Sequence, residues 1–427
     1  MNSQSKATSS GTVGALAPYR ILDLTDHRGW LAGKMLGDLG AKIIKIEPVD
    51  GDPGRHRGPF FEDKADADHS LKWWFFNQGK RGVSLNLESA EGKALFEKMV
   101  ASADAVIESF EPGWLDSIGL GYKNLEAINP KIVMTSITPF GQGGPHAGFK
   151  GPDLILAALC GTMYLCGDPE RPPVRISIPQ GYMHGAAEGA VSTTMGLYHA
   201  RSTGVGQHAD VSSQLAYTRA LMNATPFPKL ENRSLKRTGI WTESVGSFRR
   251  VIYPAKDGYI TMMINGGMLG GKSIEAIFEW AKETIEVPEK LLNTDWQGLD
   301  AAAIIQDPKK GLLFTELSEW LMDFYPLFDK ETIYAEALKR RILLAPVSTI
   351  ADICEDEQLI ARGYFVDVKH EDKDAVTYPG PWAKMSETEI QVGARAPHVG
   401  EHNREVFVGE LGVSEVEFER LVETRII

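Results

Sequence analysis

The chain has 427 residues, 43% hydrophobic and 24% charged, a globular composition long enough for two or three domains. Its 45 basic against 57 acidic residues give a net charge of −12, which argues against general nucleic-acid binding and leaves any polyanionic ligand to a local basic patch. Three cysteines (Cys160, Cys166, Cys354) make no C-x-x-C pair and no apolar run reaches transmembrane length, so neither a disulfide framework, a zinc site nor a membrane span is expected, and a reducing, cytoplasmic setting is the default.

Residues 1–18, rich in Ser, Thr, Gly and Ala, read as a flexible tail. Tyr19 to Thr25 has strand composition, Leu31 to Leu39 has helical spacing, and Ala41 to Glu47 is a second strand. Such a unit implies parallel pairing with a right-handed crossover. The pattern repeats: strand Val83 to Leu87, helix Ser89 to Ala103 with Ser89 as N-cap, strand Ala105 to Ser109, a short helix at Leu125 to Ile128, and strand Ile132 to Ile137. The alternation predicts an open α/β sheet covered on both faces. The first strand-to-helix turn, Asp26-His27-Arg28-Gly29-Trp30-Leu31-Ala32-Gly33, lacks the three-glycine phosphate fingerprint, so a dinucleotide site is disfavoured.

A long helix is expected from Gly181 to about Ala200. Gly181, Gly185 and Gly189 share one of its faces, either for tight packing or for close approach of a ligand. His184 and Glu188 lie one turn apart and read as a structural pair. Arg249 to Ile264 forms a hairpin turning at Lys256-Asp257-Gly258, followed by the glycine-rich run Gly266-Gly267-Met268-Leu269-Gly270-Gly271. Helices and polar loops from Ser273 to about Arg341 complete a smaller α+β region. The expected organisation is a tail over 1–18, a large domain over 19–222, a small domain over 223–341, and a return to the large domain over 342–427. The last element is a helix, Glu415 to Thr424, with Ser414 as N-cap.

Taken in order, these segments resemble the class III CoA-transferases. The matching residues include Leu22-Asp23-Leu24-Thr25, Gly40 to Glu47, Gly51-Asp52-Pro53, Asn77 to Leu87, Glu111-Pro112-Gly113, Gly119-Leu120-Gly121-Tyr122, Gly204 to Val211, Ala345-Pro346-Val347 and Gly400-Glu401-His402. The resemblance implies a Rossmann-like large domain built from both chain ends, an inserted small domain, and an interlocked ring dimer. It also implies that a coenzyme A thioester is the substrate, with no tightly bound cofactor and no metal. The glycines Gly266, Gly267, Gly270 and Gly271 fall where a mobile loop covers the active site towards the partner, or else form a plain surface turn.

The family nucleophile is an aspartate that attacks the thioester to form a mixed anhydride. Tyr182 occupies its place, and a phenol, neutral at pH 7, is a poor substitute. Asp153 is either a weak substitute nucleophile or a helix cap. The histidine that racemases of the family carry before it is Pro152 here. Family positions that grip coenzyme A are altered to Pro48, Ser109 and Ser117, leaving Arg28, Arg81, Leu85, Phe110 and Lys150 as a vestigial or partial site. Arg28 could meet a phosphate or a carboxylate, or sit at the surface; Lys150 could meet a phosphate or simply be solvated. The resemblance thus implies a non-catalytic subunit whose paralogous catalytic partner moves CoA from succinyl-CoA to a dicarboxylate such as (R)-benzylsuccinate, as in anaerobic toluene degradation. A homodimeric transferase or racemase with a substitute residue, and a CoA sensor without chemistry, are the alternatives.

Overall fold

The computed structural model describes residues 14–221, 224–244, 247–370 and 373–427. Most of the expected tail, residues 1–13, lies outside them. The remainder is not loose, since Leu16 is buried and its N–H donates to the Leu39 carbonyl at 2.9 Å.

The chain forms two compact units. The first comprises Met1–Met163, Arg175–Leu230 and Glu357–Ile427; the second comprises Tyr164–Val174 and Glu231–Asp356. These limits differ from the expected 223–341. Tyr164–Val174 joins the second unit because the Arg237 guanidinium donates to the carbonyls of Asp168 at 2.9 Å and Arg171 at 2.7 Å. The return comes after 356 because Leu344–Pro346 is itself a strand of the second unit's sheet.

The first unit is a mixed α/β fold around a six-stranded parallel sheet. Its strands are β1 (Arg20–Leu24), β2 (Lys42–Glu47), β3 (Arg81–Ser84), β4 (Ala105–Glu108), β5 (Val133–Thr138) and β6 (Gln207–Ser212). They run in the order β3-β2-β1-β4-β5-β6, the order of doubly wound nucleotide-binding sheets. Near-continuous burial along β1, β4 and β5 is what a parallel sheet covered on both faces requires. Two helices cover one face, α1 (Trp30–Asp38) and α4 (Gly181–Thr203), and α2 (Ala90–Val100) lies on the other; α3 (Asp153–Leu159) and α5 (Ser213–Thr218) pack beside α4. Leu36, Ala190 and Leu197 pack with Ile21 and Ile137 on the α4 side. On the α2 side, Phe96 and Met99 meet Phe407, Phe418 and Leu421 from the other end of the chain. Each such large side chain contributes roughly 1.5–3 kcal/mol on burial.

Ser89 caps α2, its hydroxyl accepting from the Gly92 N–H at 2.9 Å. Ser414 caps the helix Glu415–Glu423 in the same way at 3.3 Å. The glycine stripe of α4 serves packing: a Cβ on Gly185 would lie 2.2 Å from the Ser213 hydroxyl, and one on Gly189 2.5 Å from Ile137.

In the second unit, strands β7 (Ile252–Ala255), β8 (Gly258–Met262) and β9 (Leu344–Pro346) form an antiparallel sheet in the order β9-β8-β7. The hairpin turns at Lys256-Asp257, as expected. Helices α6 (Gly267–Ala281) and α7 (Leu312–Phe324) enclose an aromatic core of Tyr253, Trp280, Trp296, Phe314, Phe324 and Tyr325. No helix among the described residues is long and apolar enough to cross a membrane.

Candidate active site

In a doubly wound sheet the ligand crevice opens where the strand order reverses, beyond the carboxyl ends of the strands. Here that point lies between β1 and β4, and the loops after them, Thr25–Arg28 and Ser109–Phe110, enclose it. A fully buried network fixes the first loop. Asp23 receives the Thr25 N–H at 2.9 Å and the Thr25 hydroxyl at 2.6 Å, and pairs with Lys80 at 2.8 Å. Lys80 also donates to Asn77 at 2.9 Å and to the Trp30 carbonyl at 3.1 Å. Burial opposes the Asp23 charge, but Lys80 and Lys45 outweigh it and hold the carboxyl below its usual range.

Two clefts share Asp26 and Arg28. The first, the switch-point cleft, has a volume of ≈ 640 Å³ and is walled by Leu85, Leu87, Phe110 and Trp114. The Phe110 and Trp114 rings pack 4.3 Å apart. Five carboxylates (Asp26, Glu47, Asp50, Asp52, Glu88) line it against three cations (Arg28, Lys45, Arg425). Each cation is already engaged. Arg28 binds Asp26 at 2.9 and 3.0 Å and donates to the Ser109 carbonyl. Lys45 donates to the Thr25 carbonyl and pairs with Asp52 at 3.5 Å. Arg425 pairs with Asp50. Burial works against the Arg28 charge, yet the Asp26 carboxylate outweighs it and leaves the guanidinium more firmly protonated than usual.

The second cleft, of ≈ 570 Å³, contains Tyr182, Asp153, His27, Arg57, Lys72 and Lys150. Tyr182 stands in the first turn of α4, and its hydroxyl donates to the Gly151 carbonyl at 2.9 Å. The His27 ring meets it edge-on, with centroids 5.5 Å apart. Burial holds the phenol above its ordinary range, although Arg28 pulls the other way. Burial likewise pushes the His27 imidazole down against the attraction of Asp26. The phenol is therefore neutral, and its proton is committed to a carbonyl.

The candidate residues separate accordingly. Arg28 joins both clefts; Leu85 and Phe110 line the first; Tyr182, Asp153 and Lys150 line the second. Asp153 does not cap its own helix. It accepts the Gly181 N–H at 2.8 Å and so caps the neighbouring α4. Lys150 is exposed and paired with Glu111 at 2.8 Å. Arg81 lines neither cleft: it is taken by Glu405 at 2.7 Å and by Glu410. Nor is the run Gly266 to Gly271 a loop: from Gly267 onward it is the start of α6. A Cβ on Gly270 would strike the Asn265 carbonyl oxygen at 2.0 Å, and one on Gly271 would meet the Trp296–Gln297 backbone at 2.6–2.7 Å. Sequence reasoning missed Arg57, Lys72 and His27. For Arg57 the only available signal was the basic stretch Arg55-His56-Arg57. Among the described residues, no group of three or more His, Cys, Asp or Glu side chains is arranged to hold a metal ion.

Comparison with known proteins gives a consistent result. The profile of CoA-transferase family III matches residues 16–403. The chain is 33% identical to succinyl-CoA:(R)-benzylsuccinate CoA-transferase subunit BbsE of Thauera aromatica, over 95% of this chain and 96% of that one. It is 30% identical to the succinyl-CoA–L-malate CoA-transferase alpha subunit of Chloroflexus aurantiacus, over 96% and 92%. A solved CAIB/BAIF family protein from Brucella suis superposes with a TM-score of 0.77 at 26% identity, covering 93% of this chain and 99% of that one.

Proposed function

We propose, from the premise that this chain belongs to CoA-transferase family III, that it is a non-catalytic subunit of a heteromeric CoA-transferase. A paralogous partner supplies the nucleophilic aspartate and the coenzyme A site. The assembled enzyme moves CoA from succinyl-CoA to a dicarboxylic acid such as (R)-benzylsuccinate. Two relatives are themselves named as subunits of succinyl-CoA-dependent transferases, which supports the heteromeric reading.

One observation carries the proposal: the two candidate acyl acceptors of the cleft, the Tyr182 phenol and the Asp153 carboxylate, are both engaged within the protein. The phenol is neutral and bonded to Gly151, and Asp153 is engaged in capping α4. The switch-point cleft supports it from a second direction. Its carboxylates outnumber its cations, and every cation is paired internally. A polyphosphate entering there would have to break those pairs, and it would lose the guanidinium forks that normally hold phosphates.

The competing reading is a self-sufficient enzyme that uses Asp153, which does face the cleft. The purified chain should show no turnover with succinyl-CoA and a panel of carboxylates. Turnover that disappears in Asp153→Asn or Tyr182→Phe would establish the competing reading instead. Co-purification from the native host followed by mass spectrometry should recover a family member bearing the aspartate.

A further inference from the structure

The Tyr182 cleft contains four cations and three carboxylates, and their pairing leaves a remainder. Arg28 is held by Asp26, Lys150 by Glu111, and Asp153 by the Gly181 N–H. Arg57 and Lys72 are both exposed, and neither has a carboxylate within ion-pair range among the described residues. Local structure brings them together. The Ser70 hydroxyl donates to the Arg57 carbonyl at 2.7 Å, and the Leu71 N–H donates to the Pro59 carbonyl at 3.0 Å. These bonds clamp the segment carrying Arg57 to the helix carrying Lys72. Both side chains line the same cleft as His27 and Tyr182. The rest of the wall is apolar: Trp30, Phe76, Pro139, Phe149, Ile178 and Met183.

A pocket with apolar walls and a few convergent charges is how small-molecule sites are built, and ≈ 570 Å³ lies within their usual range. Two uncommitted cations over such walls select an anion. The apolar surround favours a carboxylate on a hydrophobic body over a bare polyanion, whose remaining charge would stay desolvated.

We propose that this cleft is a non-covalent binding site for an organic carboxylate with an apolar, ring-bearing body, the carboxylate held by Arg57 and Lys72. The proposal rests on the reading of the chain as non-catalytic and extends it: a cleft without a nucleophile is kept to hold an acid, not to convert one. The ring packs against Phe76 and Phe149, while Arg57 and Lys72 receive the carboxylate near the Tyr182 edge.

Calorimetric titration of the full chain, alone and in its native complex, with phenylacetate and with the neutral phenylacetamide tests this. The acid should bind one site per copy of this chain, at least about tenfold more tightly than the amide. Arg57→Ala and Lys72→Ala should each weaken the acid by about tenfold, whereas Lys282→Ala, which does not line the cleft, should not. Equal affinities for acid and amide, or unchanged binding in both cleft variants, would overturn the proposal. The non-catalytic reading is scored separately by intact mass after incubation with succinyl-CoA. An acyl adduct on this chain would refute that reading and leave the titration result standing.

Discussion

The two clefts share Asp26 and Arg28 and rest on the same buried network, yet they have opposite electrostatic character. In the switch-point cleft every cation is neutralised from within, and two exposed carboxylates, Asp50 and Glu88, sit at the rim. In the Tyr182 cleft two cations are left over. The difference teaches that two cavities of similar size, built on one scaffold, can differ in whether their charges are already satisfied within the protein. The basic groups of the switch-point cleft have all found partners within the protein, whereas Arg57 and Lys72 of the Tyr182 cleft have no carboxylate partner among the described residues.

The strongest way to break the contrast is to remove what both clefts stand on. Lys80→Met leaves Asp23 as an unpaired, fully buried carboxylate. It should cost about 3–5 kcal/mol in urea unfolding and abolish carboxylate binding in the Tyr182 cleft. Unchanged carboxylate binding would show that this cleft does not depend on the network.

The second test distinguishes the clefts through Glu108, which accepts the Phe110 N–H at 2.6 Å below the switch-point wall. Burial, opposed by its bonds to Ser136 and Phe110, raises its pKa to about 7. The folded protein therefore holds this proton more tightly than the unfolded chain does. The resulting stability is full below the ordinary carboxyl range and is lost as pH rises through about 7. Glu108→Gln should match the parent at pH 4 and exceed it at pH 8 by about 3 kcal/mol, at 1.36 kcal/mol for each pKa unit. Parallel pH–stability curves for the two proteins would refute this.

The third sharpens the electrostatic argument directly. Asp50→Asn with Glu88→Lys turns a rim of five carboxylates and three cations into one of three and four. Coenzyme A affinity should rise on the order of tenfold at low salt, and the gain should fade as salt is added. On the proposed non-catalytic reading, Tyr182→Asp alone should yield no transferase activity, since the switch-point cations stay paired within the protein. The smallest effect belongs to Tyr182→Phe, which removes one hydrogen bond and should cost about 1 kcal/mol in thermal unfolding.

What the sequence disclosed follows the range of the interactions concerned. The strands of the β1-β2 and β4-β5 units, and the caps Ser89 and Ser414, are local patterns and were legible. Strand β6 was not, because Gln207 to Asp210 is polar and largely exposed at the sheet edge. The helix that carries Tyr182 was legible, since its expected start at Gly181 is where it begins. The fate of Arg81 was not: its partners Glu405 and Glu410 lie more than 320 residues away. The same holds for the convergence of Arg57 and Lys72, which depends on Ser70 closing onto a carbonyl 13 residues earlier. The boundary of the second unit escaped because Arg237 captures carbonyls 66 and 69 residues upstream.

The packing of Phe407, Phe418 and Leu421 against α2 also dictates a timetable. During translation, Glu231–Asp356 leaves the ribosome with a complete aromatic core of its own. The sheet emerges earlier, but α2 and the core around it keep an uncovered apolar side until residues beyond 400 are made. The portion synthesised first is therefore finished last, and in that interval the uncovered apolar face is open to chaperones and to any nascent companion chain.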